Sequence, residues 1–206
     1  FIEKTITDQD KMTEALQAKI NKATTLAELE DIYLPYKPKR KTKAQAAREN
    51  GLEPLANLLL EQKDIDLIAT ATSFINEKIA DAEAALQGAR DIIAEQINED
   101  AQVRAKLRKL FETEATLQSK VVTDKETEGI KYKDYFAFSE PISKTPSHRI
   151  LAVLRGFLEG FLRMAISPAD EAALEMIEAL YLKGMSTCSD QLRKAVKDAY
   201  RRLLQP

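Results

Sequence analysis

The stretch from Thr24 to Gly51 constrains the fold of this chain more than any other. It opens with Thr25-Leu-Ala-Glu28, in which a threonine hydroxyl and a glutamate three residues on can satisfy backbone donors at a helix start. A short helix through Leu26, Leu29, Ile32 and Tyr33 then sets Glu28, Glu30 and Asp31 towards the positive end of its dipole. Pro35 and Pro38 stop it, because proline lacks the backbone donor and restrains the residue before it. A run of cations follows, and Thr42-Lys-Ala-Gln45 predicts a second capping box. Gly51 is placed as the left-handed residue that ends the second helix. The stretch predicts helix, rigid basic turn, helix.

Only 6 of the 206 residues are glycine, and alanine, leucine, glutamate and lysine dominate, which favours helix over strand throughout. A net charge of −2 excludes coating of nucleic acid by bulk charge, so any such binding must come from a local patch. The single cysteine, Cys188, excludes an internal disulfide framework and suits a reducing cytoplasm. No apolar run reaches the roughly 18–20 residues a membrane span needs, and the N-terminus has no signal-peptide pattern. The sequence begins with Phe1 and is expected to be an excerpt of something longer.

Helical periodicity predicts a first helix capped by Thr7 or Asp8 and running to about Ala23, with Met12, Ala15, Leu16 and Ile20 inward. Pro54 marks a first helical turn followed by Leu55, Leu58 and Leu59, and residues 64–75 continue as a further helix. Asp81 caps an amphipathic helix whose stripe is Ala85, Gly88, Ala89, Ile92, Ile93, Gln96 and Ile97, with small residues that admit a close neighbour. After a break at 98–100, a helix turns Val103, Leu107, Leu110 and Phe111 inward and Arg104, Lys106, Arg108 and Lys109 outward. Residues 117–122 are extended, 123–129 form a polar loop, and 131–138 form a short helix docking Tyr132, Tyr135 and Phe136. A helix from Pro146 to Glu159 places Ile150, Val153, Leu154, Phe157 and Leu158 on one face, and Gly160 ends it before a brief strand at 161–166. Two last helices cover about 168–183 and 189–204. The fold class is all-α: multihelical, with right- and left-crossing short helices in subdomains, at most one or two short strands, and a possible subdivision near 116–146.

The candidate site is the basic cluster Lys37, Lys39, Arg40, Lys41, Lys43 and Arg48, which has no acid from Tyr36 through Arg48. Closely spaced cations bind phosphates, and Tyr36 is placed to stack on a base. The alternative is a solvated loop whose prolines and tyrosines pack on neighbouring helices. The connector from Leu34 to Lys41 is longer than the 3–4 residue turn of a helix-turn-helix, which argues against base-specific readout. The basic face Arg193, Lys194, Lys197, Arg201 and Arg202 has acids nearby and suits a solvated helix surface. The lone histidine, His148, offers no metal-ligand partners at suitable spacing, and neither a nucleophile–base pair nor a phosphate-binding glycine loop is present. Catalysis, metals and cofactors are therefore not expected.

The order LEDIYLPYKPKRKTKA followed by AREN-GLEPLA resembles the helical N-terminal region of the Tex family of bacterial transcription accessory proteins. Residues 80–97, 131–142, 146–156 and the closing DAYRRLLQP extend the resemblance over nearly the whole chain. Tex-like proteins continue into RNase-H-like, helix-hairpin-helix and S1 domains, none of which lies in this sequence. The resemblance implies a helical scaffold that associates with RNA or DNA, mainly through those other domains, with the transcription machinery and downstream domains of the same protein as partners. Residues 37–48 would be an auxiliary basic surface. A helical protein-interaction module without nucleic-acid contact is the alternative.

Overall fold

The computed structural model describes residues 2–37 and 42–205. Its contacts divide the chain into two compact units, one formed by residues 1–105 with 176–206 and the other by residues 106–175. The segment 116–146 lies wholly inside the second unit. The fold is predominantly α-helical with one small sheet.

The first unit begins with α1 (Ile2–Thr7), which was not expected, and α2 (Glu14–Lys22), which starts later than the expected helix from Thr7 or Asp8 to about Ala23. Asp10 adopts a left-handed φ of 54°, which aspartate tolerates, and breaks the chain there. Thr13 rather than Thr7 or Asp8 caps α2, its hydroxyl accepting from the Leu16 amide at 3.2 Å. Thr25 and Glu28 form the predicted capping box of α3 (Leu26–Tyr33), which runs into a 3-10 turn at Leu34–Tyr36. Thr42 caps α4 (Lys43–Glu49) through the Gln45 amide, but the Gln45 side chain turns to Glu49 instead of completing a box. Gly51, at φ 81°, ends α4. Its amide donates to the Arg48 carbonyl and that of Leu52 to the Ala47 carbonyl, so two orphan carbonyls are satisfied by one left-handed residue.

The chain continues through α5 (Glu53–Glu61), with Pro54 in its first turn, and α6 (Leu67–Thr72). α6 is shorter than the 64–75 segment predicted; its Thr70 and Thr72 hydroxyls donate to carbonyls four residues back, an arrangement that weakens helices. The centre of the unit is α7 (Ala82–Glu99), packed by α4, α5, α6 and α11 (Thr187–Ala199). Leu86, Ile92, Ile93 and Ile97 are at most 1% exposed, each stabilising the fold by about 1.5–3 kcal/mol. Gly88 allows this crowding: a Cβ there would lie 2.3 Å from Leu52 Cδ1 and 3.3 Å from Ala47 Cβ.

Burial on α7 extends well beyond the apolar stripe predicted from periodicity. Arg90, Asp91 and Glu95 are 6–8% exposed, and each is tied to a different neighbour. Arg90 donates to Gln191 on α11 and to Glu83 and Gln87 on its own helix. Asp91 accepts from Arg202, in the π-helical turn Tyr200–Leu204 that continues α11. Glu95 accepts from Thr42 and Arg48 on α4.

The second unit holds a three-stranded antiparallel sheet of order β2-β1-β3, from β1 (Thr116–Val121), β2 (Ala137–Pro141) and β3 (Leu162–Ser167). Leu117 pairs with Glu140 on one side and Ile166 on the other; Ser119 pairs with Phe138 and Met164. β2 is a third strand where at most two were expected. The predicted 131–138 helix is a 3-10 segment, Ile130–Tyr135, that buries Tyr132 before the chain extends. α9 (Ser147–Leu158) lies against β3, and Gly156 permits the approach: a Cβ there would meet Leu162 Cδ1 at 2.6 Å. Only Val153 of its predicted inward face is fully buried, while Leu154, Phe157 and Leu158 are exposed. α8 (Ala101–Glu114) and α10 (Asp170–Tyr181) contain the boundaries between the units. Among the described residues no helix is long and apolar enough to cross a membrane.

Candidate nucleic-acid interface

The sequence stretch that holds the predicted basic cluster is fixed at Tyr36–Lys37 and at Thr42. At its start, the Tyr36 carbonyl accepts from the Gln9 side chain at 2.8 Å, and the Lys37 amide donates back to Tyr33 at 3.1 Å. Tyr33 and Tyr36 are half-buried, in keeping with a packed turn. At the far side, Thr42 accepts from the Gln45 amide through its hydroxyl oxygen and donates the same hydroxyl to Glu95 Oε1 at 2.9 Å. Lys39, Arg40 and Lys41, with Pro38, lie outside the described residues.

Lys37 and Lys43 are exposed and line one cavity of about 200 Å³. Its other charged walls are Arg202 and the carboxylates Asp91, Glu95 and Glu99. Three cations thus face three acids, and this cavity offers no net positive field. Any surplus must come from positions 39–41. Arg48 points inward: its guanidinium bridges to Glu95, with Glu53 at 3.8 Å, and its side chain is 26% exposed.

Glu95 is the organising residue. It holds both the N-cap and the last turn of α4 against α7 through Thr42 and Arg48. Asp91, one turn earlier, is held above its usual pKa by burial, opposed by the Arg202 guanidinium. Arg202 in turn hydrogen-bonds Asp198 at 3.0 and 3.1 Å, which raises its own pKa. Arg104 of α8 pairs with buried Asp31 at 2.7 Å, so this member of the α8 basic face is also structural. Sequence reasoning missed Asp91 and Glu95, although Asp91, Glu95 and Glu99 at four-residue spacing form a visible acidic stripe on α7. The basic C-terminal face is similarly compensated, with Arg193 pairing Asp190 and Glu178.

These features define a predominantly helical region in which a buried helix fixes its neighbours through polar contacts, with Lys37 and Lys43 exposed. Residues 62–204 match the family described as Tex central region-like. The chain is 51% identical over 163 residues to Transcriptional accessory protein Tex of Neisseria gonorrhoeae, covering 79% of this chain and 22% of that protein. It is 42% identical over 204 residues to Protein YhgF of Escherichia coli, covering 94% and 26%. Over 163 residues it is 32% identical to human S1 RNA-binding domain-containing protein 1, covering 73% and 16%. The chain belongs to the Tex family. It spans about a quarter or less of the length of these curated relatives, within their N-terminal part.

Proposed function

We propose that this region is a helical scaffold of a transcription accessory protein that works on nucleic acid in the cytoplasm, and that residues 37–48 are an auxiliary phosphate-contacting surface. It is not itself an enzyme. The observation that carries this reading is the double anchorage of α4 by Glu95, which sets the residue following the cationic segment in a fixed place. The neutral balance of the cavity lined by Lys37 and Lys43 supports giving the contact chiefly to Lys39, Arg40 and Lys41, with Lys37 and Lys43 as flanking cations. The names of the relatives, one a transcriptional accessory protein and one carrying an S1 RNA-binding domain, support the setting. Principal recognition then belongs to other domains, with this region orienting them.

The test is fluorescence-anisotropy binding of single-stranded RNA and duplex DNA across a salt series, with the Lys39/Arg40/Lys41→Ala variant alongside. A contact surface predicts affinity that falls with salt, and a log–log slope smaller by about 2–3 in the variant, since each lost phosphate contact removes roughly 0.7–0.9. Identical slopes would remove these residues from the interface.

A further inference from the structure

Four of the ten large apolar side chains exposed among the described residues lie on one helix: Leu151 at 63%, Leu154 at 36%, Phe157 at 45% and Leu158 at 74%, all on α9. The other flank of α9, at Val153 and Gly156, is buried. Leu151, Leu154 and Leu158 line an open groove of about 800 Å³ formed within the second unit by α9 and the 3-10 segment at 130–135.

The polar groups of this groove are not balanced. Lys131 and Glu159 pair at 2.6 Å, and Lys131 also lies over the Tyr132 ring, 5.0 Å from its centroid. The Lys131 hydrogen bond lowers the Glu159 pKa, and the Arg155 charge adds to it. Two cations therefore share one acid along the wall, with His148 beside them. The buried Tyr132 hydroxyl draws on the same carboxylate. The groove therefore carries more donors than its one carboxylate serves.

The spacing of the leucines, three and then four residues, is the seam by which two helices pack. A helix surface offers no free backbone groups along its length, so an extended segment laid on α9 would find no ladder to join. We propose that this groove receives an amphipathic helix of a partner protein, with leucine-like side chains at i, i+3 and i+7 and a carboxylate facing Arg155. The apolar seam supplies affinity, and Arg155 sets the register and selects an acidic partner. This inference is independent of the nucleic-acid reading, because it uses only residues 131–159.

The experiment titrates the 206-residue chain into a fluorescein-labelled 18-residue helix of leucine, alanine and glutamate with that spacing. A lysine-for-glutamate peptide and a scrambled peptide serve as controls. The glutamate peptide is expected to bind, and Leu158→Ser to weaken it about tenfold or more, as loss of one buried leucine requires. Arg155→Glu should weaken the glutamate peptide about tenfold and transfer preference to the lysine peptide. Both positions are exposed, and an unchanged circular dichroism spectrum verifies that the variants fold. Equal binding of the scrambled peptide, or indifference to both substitutions, would overturn the proposal. Sedimentation equilibrium showing a dimer that Leu158→Ser dissociates would overturn it too, by assigning the groove to a second copy of the chain.

Discussion

Replacing Glu95 by alanine tests how α4 is held. The carboxylate is 7% exposed and accepts from Thr42 at 2.9 Å and from Arg48. Removing one member of a fully buried ion pair costs about 3–5 kcal/mol, chiefly because the other charge is left without compensation. Arg48 retains 26% exposure and a distant Glu53 at 3.8 Å, so its share falls to roughly 2–3 kcal/mol here. Loss of the Thr42 bond adds about 0.5–1.5 kcal/mol. The expected total is about 2.5–4.5 kcal/mol, which in a chain of this size lowers the Tm of the affected transition by roughly 5–18 °C. Calorimetry resolves the two units if they melt separately. A double-mutant cycle with Arg48→Met, which keeps the aliphatic stem, should give a coupling of about 1–3 kcal/mol. A destabilisation below about 0.5 kcal/mol, or full additivity, would refute the anchoring argument.

Other positions give sharp outcomes. Gly88→Val should destabilise the first unit by about 1–3 kcal/mol or more in denaturant titration, since its Cβ would press on Leu52, which is itself 2% exposed. Gln62→Ala removes an amide that donates to the Tyr181 carbonyl at 2.8 Å and accepts from the Lys183 amide at 2.9 Å and the Ser189 hydroxyl at 3.1 Å. Hydrogen exchange of residues 181–189 should accelerate selectively, with a cost of about 1–3 kcal/mol. Asp91 has a folded pKa raised above its ordinary 3.8, so the folded state holds its proton more tightly and this group withdraws stability as pH rises through the window above that value. Asp91→Asn should therefore gain on the wild type in urea titrations as the pH rises above 3.8, and a constant difference would contradict the assignment.

Much of this fold was legible because its signals are local. The Thr25 box, the Asp81 cap, Pro54 in a first turn and left-handed Gly51 each depend on neighbours within a few residues. β1 and β3 were visible as β-branched or alternating runs. β2 was not, because its five residues, Ala-Phe-Ser-Glu-Pro, carry no strand pattern of their own and are held by pairing to β1. The buried charges of α7 were equally hidden: the partners of Glu95, Arg90 and Asp91 lie 47, 101 and 111 residues away. α9 failed in the opposite sense. Its apolar arc is wider than the surface that covers it, so periodicity marks Leu154, Phe157 and Leu158 as inward while the structure leaves them open. In the basic segment, composition identified the cations, but only the structure separates Arg48, which is tied to Glu95, from Lys37 and Lys43 at the surface.

The most direct test of the scaffold account is the RNA affinity of Glu95→Gln, measured at low temperature where the variant stays folded. The substitution raises the net charge by one, so a purely electrostatic surface predicts tighter binding. A scaffold that orients the cationic segment predicts the reverse, a loss of about threefold or more from forfeited preorganisation. Affinity that is unchanged or improved would contradict it.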